Sequence, residues 1–218
     1  MFFLNPTRAL IFVNGPLPNL QPVRRLIGLG DTLIAVDGGT RYILALKLLP
    51  SLVLGDLDSL AVDDRQRLQT AGVEIHAYPA DKDETDLELA LRYTLEMGYR
   101  TLRIIAAVGG RLDQTLANLS LLTDPRLSRL DVRFDDGVDE AFFVRQCASI
   151  PGQPGDTVSL LPWGILAKGV ATDGLRWPLH GESLFPTRAR GVSNIMLGKE
   201  ARITLQSGLL LVVHHRMS

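Results

Sequence analysis

Short, almost continuously apolar runs alternate with helical patterns through the first two-thirds of the chain, and most of the runs stop abruptly at glycine or aspartate. They are ALIFVNG, TLIAVDGG, SLVLGD, GVEIHAYP and TLRIIAAVGG. A half-exposed strand would alternate apolar with polar residues, so unbroken runs of this kind mark strands covered on both faces. Between them, QPVRRLIGLG, RYILALKLLP, a stretch over residues 60–71 that Ser59 is placed to cap, and LDQTLANLSLL carry helical spacing. TDLELALRYTLEMG adds a capping-box pattern, Thr85 with Glu88, an apolar stripe of Leu87, Leu91 and Leu95, and a stop at Gly98. This alternation implies an α/β fold: an open, mostly parallel sheet with helices on both faces.

The texture changes after about residue 130. LDVRFDDGVDEAFFV reads as a hairpin around Asp136-Gly137, and SIPGQPGD as a boundary. TVSLLPW, ILAKGVAT, GLRWPL, EARITLQS and GLLLVVHH then read as short strands of a small all-β sandwich. The expected domains are residues 1–146, α/β and catalytic, and 147–218, β-sandwich.

With 218 residues, 46% of them apolar, the chain can bury a substantial core. Its formal charge of −1 provides no field for attracting nucleic acid or an anionic membrane. The single cysteine, Cys147, excludes an intrachain disulfide and fits a reducing compartment. MFFLNPTRALIFVNGP is apolar but lacks a basic leader, so it reads as a first strand rather than a signal peptide. No segment reaches the ~20 apolar residues that span a bilayer. A soluble, cytoplasmic protein is expected.

In an open parallel sheet, ligands bind beyond the carboxyl ends of the strands. The predicted strands end there in VDGG (36–39), GDLDS (55–59) and GGRLD (109–113), and DKDETD (81–86) opens onto the same edge. Each acid alone has an ordinary explanation as a turn or cap residue. Together, Asp56, Asp58, Asp81, Asp83, Asp86 and Asp113 would crowd one rim, and mutual repulsion would raise their pKa values unless a cation sat among them. Asp56 and Asp58, two apart on an extended segment, point the same way roughly 6–7 Å apart. That suits magnesium, which takes few carboxylates and completes its shell with water and phosphate oxygens. Zinc is poorly supported, and His214-His215 reads as a solvated strand end. Gly109-Gly110 before a helix frees backbone N–H groups for phosphate, with Arg111 and Lys82 as neutralising cations. No P-loop or dinucleotide fingerprint is present; GVSNIMLGKE and GLGDTL have the wrong spacing or setting.

DGG (37–39), GDLDS (55–59), DKDETDLELAL (81–91) and GGRLDQTLANL (109–119) resemble the thiamin pyrophosphokinase family in order and spacing. TDGLRWPL (172–179), RGVSN (190–194) and SGLLLV (207–212) extend the likeness to nearly the whole chain. The resemblance implies that ATP and thiamin give AMP and thiamin diphosphate with magnesium, on a homodimer whose thiamin site lies at the subunit interface. It implies that Asp56, Asp58, Asp83 and Asp113 hold the metal and that these four and Asp86 are catalytic, with Asp81 in support. Nucleotide contacts fall to Asp37, Gly38, Gly39, Lys82, Gly109, Gly110, Arg111 and Gln114, and thiamin contacts to Ser193, Asn194 and Trp177. One departure stands out: Ile195 and Met196 follow Asn194, where some relatives carry an aromatic, and Trp163 reads as a core residue. Two other readings fit parts of the pattern, a D-x-D phosphatase releasing free phosphate and a non-catalytic thiamin or nucleotide sensor.

Overall fold

The computed structural model describes residues 8–55, 60–78 and 83–217 of the chain. It divides into two compact units, Met1–Asp136 and Gly137–Ser218. The first holds strands β1 (Arg8–Phe12), β2 (Thr32–Val36), β3 (Leu52–Gly55), β4 (Glu74–Ala77), β5 (Thr101–Ile105) and β6 (Asp131–Asp135). All pair in parallel, in the order β6-β5-β1-β2-β3-β4. Parallel neighbours need crossovers. The helices α1 (Leu20–Leu26), α2 (Thr40–Ala45), α3 (Val62–Thr70), α4 (Asp86–Glu96) and α5 (Leu112–Leu121) lie in those connections.

The runs of β1, β2 and β3 are buried on both faces, as their continuity predicts, whereas β4, at the end of the sheet order, has no buried residue. Leu10, Phe12, Leu33, Ala35 and Val53 pack with Val23 of α1, Tyr42 and Ile43 of α2 and Leu68 of α3. The alternate residues Ile11, Ile34, Leu52 and Leu54 are equally buried, and α4 packs on β2 and β3 with Leu87 and Leu91 turned inward. The predicted capping box of α4 is formed: Glu88 N–H donates to Thr85 Oγ1 at 3.2 Å, and Thr85 N–H to Glu88 Oε2 at 3.1 Å. The cap expected from Ser59 lies outside the described residues, and α3 begins after Ala61 without a side-chain cap.

The second unit contains β7 (Asp139–Val144), β8 (Cys147–Pro151), β9 (Thr157–Pro162), β10 (Ala167–Asp173), β11 (His180–Leu184), β12 (Asn194–Ile195), β13 (Glu200–Thr204) and β14 (Leu210–His215). Its antiparallel pairings run β12-β9-β14-β7 and β11-β10-β13-β8. Phe142, Val158, Leu160, Leu210 and Val212 from the one set meet Ile150, Val170, Leu184, Ala201 and Ile203 from the other in a single core, which makes a sandwich. The division between units falls before the boundary expected after residue 146, because β7 pairs along its length with β14. Two local expectations change. GLRWPL is a loop tied by the single bridge Leu175–Met196, and SIP, read as part of a boundary, belongs to β8. Cys147 is exposed. Among the described residues, no helix is long and apolar enough to cross a membrane.

His214 is also corrected. It is fully buried, whereas His215 is exposed, as the two-residue period of β14 requires. Its Nδ1 lies 2.9 Å from Glu140 Oε1 and its Nε2 3.0 Å from Asp156 Oδ2, and Arg216 pairs with Glu140 Oε2 at 3.1 Å. Burial alone would raise the Asp156 carboxyl. The N–H groups of Met217 and Gln153 and the His214 ring overcome that and hold it below the usual carboxylate range. A carboxyl depressed in the folded state stabilises above its unfolded pKa of about 3.9 and loses that contribution as pH falls through the lower folded value. Denaturant midpoints measured from about pH 6 to 2 should therefore fall steeply below about pH 4. Asp156→Asn should lower stability at neutral pH and flatten that acid limb.

Candidate functional site at the carboxyl rim

The chain moves outward from β1 to β4 and then places β5 on the opposite side of β1, so the strand order reverses between β1 and β5. A crevice at this reversal is where an open α/β sheet takes its ligand. Pairing continues past the strand ends there: Val13 N–H donates to the Ile105 carbonyl and Gly15 N–H to that of Ala106, both at 2.9 Å. A Cβ on Gly15 would fall 2.2 Å from the Ala106 oxygen, so only glycine lets the chain close. Arg41 and Tyr42 of α2 hold the turn from outside. Arg41 Nη2 reaches the carbonyls of Asn14 at 3.2 Å and Gly15 at 3.4 Å, and the Tyr42 hydroxyl donates to Gly15. Asn14, Gly15 and Arg41 were not singled out from sequence. The available signal was the Asn14-Gly15-Pro16 turn directly after a buried strand.

The DGG segment forms a 3-10 turn, Asp37–Gly39, at the end of β2. Gly38 and Gly39 are buried, and a Cβ would fall 2.2 Å from Asn14 Oδ1 and 1.9 Å from the Phe12 carbonyl oxygen, respectively. Their described role is close packing of this turn on the end of β1. Asp37 takes a left-handed φ of 46°, and its carboxylate lies against the α-carbon of Gly55, where a Cβ would fall 1.6 Å from Oδ1. The turn after β2 and the end of β3 are thus in contact at the rim. Asp56 and Asp58 follow at once, but with Asp81 and Lys82 they lie outside the described residues.

On the β5 side, Gly109 and Gly110 are exposed with φ of 90° and 70°, just ahead of α5. Thr115 Oγ1 accepts from Gly109 N–H at 3.1 Å, and Asn118 Nδ2 donates to the Ala107 carbonyl at 2.7 Å, which fixes the loop to the helix that follows. Arg111 and Asp113 grip each other in a two-pronged, exposed pair, Nε to Oδ1 at 3.1 Å and Nη2 to Oδ2 at 2.5 Å. The guanidinium, followed by the Gln114 backbone N–H, holds the Asp113 carboxyl below its ordinary value. This is opposite to the rise expected from crowded acids, since the nearest charge is a cation. Gln114 is exposed, as is Asp83, while Asp86 sits half-buried in the first turn of α4. Among the described residues, no three His, Cys, Asp or Glu side chains come together as a metal-holding group. The cavity of about 240 Å³ between α4 and the end of α5 is lined by Leu91, Arg92, Leu121 and Asp124 among others, and by none of the expected site residues.

Within the second unit, Ser193 is exposed with a left-handed φ of 56°, and its N–H donates to Ser159 Oγ at 3.0 Å. Asn194 is only 5% exposed and faces Trp177, which is 50% exposed. Trp163 packs edge-on against Phe143, ring centroids 5.4 Å apart, in keeping with a core role.

Comparison with known proteins covers both units. Residues 23–134 match the family described as thiamin pyrophosphokinase, catalytic domain, and residues 147–210 match thiamin pyrophosphokinase, vitamin B1 binding domain. A thiamine pyrophosphokinase of Bacillus subtilis is 26% identical over 182 residues, 83% of this chain and 85% of the relative. Thiamine pyrophosphokinase 1 of Arabidopsis thaliana is 27% identical over 223 residues, 91% of this chain and 82% of the relative. The crystal structure of the Bacillus subtilis enzyme superposes with a TM-score of 0.87 at 24% identity, covering 97% of this chain and all of that one. The yeast enzyme superposes at 0.77 with 19% identity, covering 96% of this chain and 86% of that one, so the whole architecture is shared.

The Arg111–Asp113 pair yields a direct test. Arg111→Met should bring the Asp113 carboxyl up towards the ordinary value of about 3.9, read by carbon-detected NMR of the aspartate side chains. Because the pair is fully exposed, added salt should shrink the difference between the two proteins.

Proposed function

Since this chain belongs to the thiamin pyrophosphokinase family, we propose that its rim of carboxylates and glycine turns moves the diphosphoryl group of ATP onto the hydroxyl of thiamin, releasing AMP. The observation that carries the reading is the convergence, at one reversal of strand order, of the Asp37 turn, the Gly55 end of β3 and the Gly109-Gly110 turn ahead of α5. Nucleotide phosphates would lie along these turns, at the exposed start of α5, where Arg111 and Lys82 supply positive charge. Asp37, Gly38 and Gly39 shape the adjoining wall, and Gln114 borders it.

The donor set consists of carboxylates without thiolate or imidazole, which suits magnesium. Asp56 and Asp58 would hold the ion, with Asp83 and Asp113 in reach of the phosphates. When bound, it neutralises the polyphosphate and the departing charge. Asp113 accepts two bonds from Arg111, so the pair sets the two charges side by side at the start of α5. Asp113 or Asp86 orients the thiamin hydroxyl and accepts its proton late, because a loose phosphoryl transition state needs little help from a base. Thiamin is taken at Ser193 and Trp177 of the β unit, and we place this site at the interface of a cytoplasmic homodimer.

Incubation with ATP, magnesium and thiamin should produce AMP and thiamin diphosphate in equal amounts by chromatography. ADP in place of AMP would mean single-phosphoryl transfer, free phosphate would mean a phosphatase, and binding without turnover would mean a sensor. Asp58→Asn should keep the circular-dichroism spectrum and lose roughly two or more orders of magnitude in turnover, the scale for removing one preorganised charged group. A fully active Asp58→Asn enzyme would falsify the metal assignment.

A further inference from the structure

We propose that Asn194 is a positioning residue that presents Trp177 to the thiamin ring and does not itself bind the ligand; this rests on the reaction proposed above. The carboxamide of Asn194 is spent on backbone. Its Oδ1 accepts from the N–H of Trp177 at 3.0 Å and of Ile195 at 2.9 Å, and its Nδ2 donates to the Trp177 carbonyl at 2.7 Å. One buried side chain thereby satisfies both backbone groups of Trp177, as a neighbouring strand would. The Trp177 segment needs such a partner because it is not itself a strand.

The loop is pinned on either side of this contact. Arg176 N–H donates to the Ile195 carbonyl at 2.8 Å, and Leu197 N–H to that of Gly174 at 2.9 Å. With the backbone fixed, the indole is left half exposed, and the Arg176 guanidinium lies 5.7 Å from its ring centroid. An indole in this state offers a flat, electron-rich face to a planar or cationic group, and thiamin carries both a pyrimidine and a thiazolium ring. The residues that follow Asn194 cannot substitute: Met196 is 1% exposed and Ile195 is partly buried. The neighbouring Ser193 keeps a left-handed backbone, unfavourable for a non-glycine residue, and its N–H is bonded to Ser159 Oγ.

The test uses the full chain in a Trp163→Phe background, which leaves Trp177 as the sole indole. Thiamin should quench its fluorescence. Asn194→Ala should abolish most of the quenching and raise the KM for thiamin about tenfold, the scale of one to two lost hydrogen bonds, while kcat and the KM for ATP stay within about twofold. Trp177→Ala, which removes the fluorophore, should raise the KM for thiamin to the same extent. Combining the two should cost no more than either alone, because both act through the same ring. If Asn194→Ala folds poorly, Asn194→Asp carries the test: it keeps the acceptor of two N–H groups, loses the donor to the Trp177 carbonyl, and should give an intermediate KM.

Additive losses in the double variant would overturn the inference by giving Asn194 its own contact with thiamin. An unchanged thiamin KM in Asn194→Ala, with an unmodified enzyme that turns over normally, would overturn it as well. An unmodified chain that forms no AMP from ATP and thiamin would fail the reaction itself, and the inference with it.

Discussion

The hydrogen bonds that carry β1 past its last strand residue onto the β5 loop set the geometry of the whole rim. Val13 and Gly15 continue the ladder to Ile105 and Ala106, and this closure is possible only without a side chain at residue 15. Gly39 against Phe12 and Gly55 against Asp37 repeat the same device on the other side of β1. A methyl group at any of these points would push one strand end away from the next. The glycines of the rim therefore serve two ends. Those at 38, 39 and 55 bring strand exits together, whereas 109 and 110 stay exposed with left-handed backbones ahead of a helix, tied to it by the Gly109 N–H bond to Thr115 Oγ1.

Two carboxylate pairings, one in each unit, are held in opposite ways. Asp113 and Arg111 pair in water, so their bond is cheap to open. Glu140, His214, Asp156 and Arg216 pair inside the sandwich, where losing one member strands the others. The buried group ties Arg216 and Met217 to β7 and to the turn before β9.

Much of the first unit was legible because its signals are local. Continuous apolar runs reported strands buried on both faces, and Thr85 with Glu88 reported a helix start that the structure builds with both reciprocal bonds. The second unit was less legible because its decisive partners are far apart in sequence. His214 looked like a wet strand end, but the pleat turns it inward towards carboxylates 74 and 58 residues away. GLRWPL carries strand-like residues, yet it is held as a loop by Asn194, 17 residues on from Trp177. At the rim, the DGG and GGR turns were recognisable as special, but the pairing of Asp113 with Arg111 was not, since composition alone does not choose between a metal and a guanidinium as the neighbour of an acid.

The burial of Met196 after Asn194 has a packing cause that links the buried charges to the Trp177 loop. Met196 N–H donates to the Asp156 carbonyl at 2.8 Å, and Gly155 N–H returns a bond to the Met196 carbonyl at 3.0 Å. Gly152 leaves room for the Met196 sulfur, which would lie 2.8 Å from a Cβ there. Residue 196 is thereby drawn into the core beside the same aspartate that holds His214, and an aromatic ring at that position would have to displace it. With the core claiming Met196, Asn194 is held in line to bond Trp177, and the exposed ring comes from the neighbouring loop. The geometry of the buried pair, Asp156 and His214, is thus coupled through Met196 and Asn194 to the backbone of the exposed Trp177, although neither residue touches that ring.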